Sequence, residues 1–142
     1  MQERYLFRGQ STHNVKWIEG DLLVSTYSSG RVEYKIHERV PQATCWFVKP
    51  ETVSAYIRRT DKHGRKIFEG DILRETFEEG DAEFLVVVWD DEACAYVLQS
   101  ATSKSVPPFE MHIQESFENI EVIGNRWENP DMISAEVWEV LA

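Results

Sequence analysis

No run of about 18 or more apolar residues interrupts this 142-residue chain, and its start lacks the charged, apolar and small-residue order of a secretory leader. The expectation is a cytosolic protein with no membrane partner. Only two cysteines occur, Cys45 and Cys94, in apolar strand-like contexts and not in a C-x-x-C pair. They read as buried, reduced thiols and not as a disulfide. The four histidines, His13, His37, His63 and His112, stand apart, with none in H-E-x-x-H or other metal-ligand spacing. No metal and no cofactor is expected. G-x-S-x-G, a P-loop and a strand-borne G-x-G-x-x-G are also missing, and neither cysteine sits in a nucleophile context. No catalytic residue emerges, and the chain reads as a non-enzyme.

What is present is material for a core. Hydrophobic residues make up 42% of the chain and aromatics number 17 (5 Trp, 5 Tyr, 7 Phe), which argues against disorder. The net charge of −10 is unevenly spread. Residues 1–65 hold 11 Lys and Arg against 7 Asp and Glu, a balance of +4, whereas residues 66–142 hold 4 against 18, a balance of −14. Opposite fields of this kind steer association and fix register, within a chain or between copies. The plainer reading is a solvated acidic surface.

One phrase occurs twice: Trp17-Ile18-Glu19-Gly20-Asp21-Leu22-Leu23 and Ile67-Phe68-Glu69-Gly70-Asp71-Ile72-Leu73. An apolar pair, Glu-Gly-Asp and a second apolar pair predict two strands meeting at a corner where glycine supplies a positive φ. Gly20 and Gly70 are therefore read as structural turns, with Gly64 and Gly124. The carboxylates flanking each corner glycine are read as solvated, not as an acid and base pair. Arg31 to Ile36 alternates with period two as a one-sided strand, and Phe84 to Trp89 is apolar throughout, as a strand buried on both faces. Cys45 to Val48 is a short buried run, and Ile120 to Ile123 a closing strand.

The tail changes period. Asn129 suits a cap and Pro130 the first helical position, and Ile133, Val137, Val140 and Leu141 fall on one helical face with Trp138 beside it. A single amphipathic helix of this size is marginal alone, so its stripe must meet the body of the chain or another copy. Self-association through Ile133, Val137, Trp138, Val140 and Leu141 is the expectation.

The order of strand, hairpin, Gly-Asp corner, long strand and hairpin is that of a small SH3-like barrel. The fold class expected is mainly β, with barrel-like halves at 1–57 and 58–126 and a C-terminal helical segment at 127–142. Longer strings are more specific. Arg4-Tyr5-Leu6-Phe7-Arg8-Gly9, Val48-Lys49-Pro50-Glu51-Thr52-Val53, the run Thr60 to Leu73, and Phe117 through Gly124-Asn125-Arg126-Trp127-Glu128-Asn129-Pro130 together resemble the YopX family of phage and prophage proteins across essentially the whole chain. Ile57-Arg58-Arg59-Thr60 departs from that family's usual Y-T-G-L step, and the helix after Pro130 is longer than its usual end. The resemblance implies a β-rich accessory protein of unknown activity. It brings no catalytic residues, and its glycines, Asp61, Asp71 and Asn129-Pro130 look architectural.

One basic cluster remains: Arg58, Arg59, Lys62, Arg65 and Lys66, with Tyr56 and Phe68 nearby for stacking. It is the candidate nucleic-acid contact, yet the net charge of −10 opposes the long-range attraction to phosphate that such binding requires. A non-catalytic module that binds itself, or a host or phage protein, ranks first. Nucleic acid ranks second.

Overall fold

A computed structural model describes residues 5–39, 44–110 and 117–141; Arg4 and His112 lie outside them. The chain forms two compact units, Met1–Tyr56 and Ile57–Ala142, so the C-terminal helix belongs to the second unit and is not a separate segment. This division redraws the charge map. The first unit holds 7 Lys and Arg against 6 Asp and Glu (+1), and the second 8 against 19 (−11), because the basic cluster lies in the acidic unit. The units are thus not electrical opposites.

In the first unit β1 (Phe7–Gln10), β2 (Trp17–Thr26), β3 (Val32–His37), β4 (Cys45–Phe47) and the start of β5 (Ser54–Thr60) form an antiparallel sheet ordered β4-β3-β2-β1-β5. Alternation fixes its inner face: Leu22 lies opposite Ile36, and Ile36 opposite Trp46. Ile18, Ile36 and Val48 are the buried core, flanked by Phe7, Leu22, Tyr34, Trp46 and Val53.

Gly20 is not at a corner. It lies inside the ten-residue β2, opposite Phe7, and has no positive φ. A side chain is excluded there because a Cβ would stand 2.1 Å from the His37 carbonyl oxygen. Cys45 and Cys94 are both exposed, contrary to their apolar neighbourhoods in sequence. Cys45 falls on the outer face of the edge strand β4, and Cys94 sits at a hairpin tip with φ +50°.

The second unit contains the end of β5, β6 (Lys66–Phe68), β7 (Asp71–Thr76), β8 (Ala82–Asp90), β9 (Ala95–Ser100), β10 (Phe109–Glu110) and β11 (Ile120–Asn125). Five strands form an antiparallel sheet ordered β10-β9-β8-β7-β11. Both faces are apolar. One buries Leu73, Leu85, Val87, Leu98, Ile120 and Val122 with Ile67 and Phe117. The other buries Ile72 and Val86 with Ala101, Ile133 and Val137. Among the described residues the sheets are open, with distinct end strands, so the expected barrel closure is not seen.

The tail is two pieces. A 3-10 turn over Pro130–Met132 is followed by an extended Ile133 and then α1 (Ala135–Leu141). Asn129 does not cap it; its Oδ1 accepts instead from the Asn125 backbone N–H at 3.2 Å. Among the described residues no helix is long and apolar enough to cross a membrane.

Candidate functional site

The site grows from the Gly70 corner. β6 ends at Phe68, whose N–H donates to Asp71 Oδ2 at 2.8 Å, closing a tight turn around Glu69 and Gly70. Gly70 has φ +88°, donates its N–H to the Val87 carbonyl at 2.8 Å, and accepts from the Arg126 N–H at 2.9 Å. Those two bonds bring Glu69 of the corner and Arg126 of the segment after β11 to one place.

Arg126 is positioned by its neighbours. Asn125 Oδ1 accepts from the Trp127 and Glu128 N–H groups at 3.0 and 2.9 Å, and Asn125 Nδ2 donates to Glu128 Oε1 at 3.0 Å. Gly124 is not a turn but part of β11, beside a register shift after Val122. Its missing side chain admits Asn129 Oδ1, which a Cβ would meet at 2.2 Å. The guanidinium then lies 5.8 Å from the Trp127 ring centre and 5.1 Å from that of Trp138.

Glu69 and Arg126 line a cavity of about 450 Å³. Its walls are aliphatic, from Val88, Val97, Val140 and Leu141, and Gln99 contributes an amide. The β8–β9 hairpin supplies a lip of Trp89, Asp90, Asp91 and Glu92. Trp89 Nε1 donates to Asp91 Oδ1 at 2.8 Å, and its ring meets Tyr96 edge to face at 5.1 Å, which fixes the indole while leaving it 46% exposed.

Burial raises the Glu69 pKa, and the positive Arg126 opposes that rise. Burial likewise lowers the Arg126 pKa, opposed by the Glu69 charge, and both burial and Glu69 push Tyr96 up. Glu69, Arg126 and Tyr96 are therefore one electrostatic set. A partly dehydrated carboxylate between aliphatic walls and three lip carboxylates can hold a cation carried on an apolar stem.

The sequence-predicted sites fare differently. Arg58, at φ +67°, and Arg59 end β5, Lys62 and Arg65 lie in the following turn, and Lys66 opens β6. Lys62 sits 3.7 Å from Glu121, which also holds His63 at 3.6 Å and Arg74 at 3.2 Å. The Arg59 guanidinium lies 5.5 Å from the Phe117 ring centre. Part of the cluster is thus engaged within its own unit.

On the helix, Ile133 and Val137 are buried against Ile72, Val86 and Ala101, with Trp138 and Leu141 packed alongside. This corrects the predicted contact set: the unit itself covers most of the stripe, and the Trp138 indole donates to the Pro130 carbonyl at 3.1 Å. Val140 is 55% exposed and joins Leu141 at the cavity wall. Gly64 has φ +80° in the β5–β6 turn. In sequence Glu69 reads only as a solvated corner carboxylate. No local motif marks Trp89, Gln99 or Arg126, although Arg126 is one of four cations in residues 66–142. Among the described residues no group of three or more His, Cys, Asp or Glu is placed to hold a metal.

Comparison with known proteins places this architecture. A family model described as YopX protein matches residues 6–134. The chain belongs to the YopX family. It is similar to the crystal structure of the YopX protein from Bacillus subtilis, with a TM-score of 0.52 and 18% sequence identity over 92% of this chain and 99% of that one. At that identity the likeness is one of fold. No curated protein matches the chain. Gly70-Asp71 and Gly124 to Pro130, both within the matched residues, are the two pieces that set Glu69 beside Arg126.

Proposed function

We propose that this YopX-family chain is a phage- or prophage-encoded accessory protein of the bacterial cytoplasm that works without catalysis, by binding another protein at the cavity of its second unit. The observation that carries this reading is the cavity itself, which joins aliphatic walls to an acidic lip with a fixed, half-exposed indole. With −11 on the unit, the partner presents positive charge. Nucleic acid ranks below a protein, because phosphate meets the same negative field and Glu121 already engages Lys62.

Site-specific photocrosslinking in a bacterial host tests it. A photoreactive residue replacing Glu92 at the lip should give a discrete protein adduct that the same residue replacing Glu51 of the first unit does not. An adduct at twice the chain mass would identify a second copy as the partner. Identical patterns from both positions, or none from the lip, would remove the reading.

A further inference from the structure

Resting on that protein-binding reading, we infer that the cavity receives an arginine side chain borne on an extended, basic segment of the partner. Val88, Val97, Val140 and Leu141 offer a methylene stem the cover it needs, and about 450 Å³ is room for a long side chain with adjoining backbone.

Gln99 offers such a side chain a polar partner. It is only 4% exposed yet lines the cavity. Its Nε2 donates to the Ser100 and Ser103 carbonyls at 3.3 and 3.5 Å, and its Oε1 has no hydrogen bond among the described residues. Its Oε1 is open to the cavity, where an amide oxygen can accept from a donor on a ligand. Glu69 supplies a second acceptor in the same cavity, and the fixed Trp89 ring supplies a face for a planar cation.

The charge balance excludes an anionic occupant. One guanidinium, Arg126, stands against Glu69, Asp90, Asp91 and Glu92. Two features choose arginine over lysine. Acceptors on two different side chains suit a planar fork better than a point ammonium. Next to Arg126, in a partly dehydrated site, the more weakly hydrated guanidinium loses less on entry.

The test is fluorescence anisotropy at low salt with short dye-labelled Gly/Ser peptides carrying two lysines and one central arginine, citrulline or lysine. The arginine peptide should bind about tenfold tighter than the citrulline peptide, the scale of one charge-assisted hydrogen bond, and several-fold tighter than the all-lysine one. Gln99→Leu and Glu69→Gln should each erase that preference, and Val140→Trp, at an exposed position on the cavity wall, should block binding while leaving the circular dichroism unchanged.

Equal affinity for the three peptides, or a preference untouched by Glu69→Gln and Val140→Trp, would overturn the arginine pocket while a lip-specific adduct still stood. Free arginine competing as well as the peptide would overturn the segment and leave a small-molecule site. Loss of the lip-specific adduct would remove the protein-binding reading itself.

Discussion

Replacing Gly70 by alanine brings two separate penalties that can be measured apart. The first is conformational: at φ +88° an L-residue is strained by about 1–2 kcal/mol. The second is steric: the new Cβ stands 2.4 Å from Trp127 Cη2 and 2.5 Å from Cζ3, so the indole or the corner must shift. Overpacking of this kind costs about 1–3 kcal/mol, giving about 2–5 kcal/mol in all. Gly64→Ala isolates the first penalty, because φ is +80° and nothing lies within 4 Å of the added carbon. It should cost about 1–2 kcal/mol. Gly20→Ala isolates the second in the other unit, with ordinary φ but a backbone oxygen at 2.1 Å that no rotamer change can relieve.

Urea denaturation followed by tryptophan fluorescence reads all three, with the two units fitted as separate transitions where they part. Trp127→Leu closes a double-mutant cycle with Gly70→Ala. Removing the ring should cancel the steric share, so the double variant should lose about 1–3 kcal/mol less than the sum of the single losses. A Gly70→Ala loss no greater than that of Gly64→Ala, or an additive cycle, would refute the Trp127 contact as the reason for glycine at this corner.

Two further outcomes follow from carboxylates. Burial pushes the Asp61 pKa up, but N–H bonds from Val122, Arg65 and His63 and the nearby His63 charge prevail, so the folded value lies below the ordinary 3.8. The stability this gives is present above about 3.8 and lost as pH falls through the depressed folded value; Asp61→Asn should cost about 2–3 kcal/mol at pH 7, and the gap should close in acid, measured by urea midpoints from pH 7 to 2. Burial and then Glu83, directly opposite on β8, raise the Glu75 pKa, with an Asn119 hydrogen bond opposing, so ionisation of Glu75 costs stability as pH rises above the ordinary 4.5. Glu83→Lys should therefore stabilise by about 0.5 kcal/mol at pH 7 and not at pH 3, and equal midpoints at both would refute the repulsion.

The β character, most strand positions and the Gly70 corner are legible in the residues, because period-two alternation and a Glu-Gly-Asp turn are local signals. The turn at Gly64, with φ of +80°, is legible for the same reason, and the structure repeats its three-residue loop at Gly30 and Gly80, with φ of +91° and +86°. The rest depends on contacts between distant parts of the chain. Gly20 shares its phrase with Gly70, but its glycine answers to a carbonyl of β3 that comes close only when the strands pair. Cys45 lies in an apolar run, and the register of an edge strand turned it outward. Ile133 and Val137 form an apolar stripe with no destination in the sequence, and the face of β7 and β8 that covers them is assembled from another part of the chain. Glu69, Gln99 and Arg126 are scattered in sequence. They become one site because two backbone hydrogen bonds at Gly70 tie the corner to β8 and to the segment after β11.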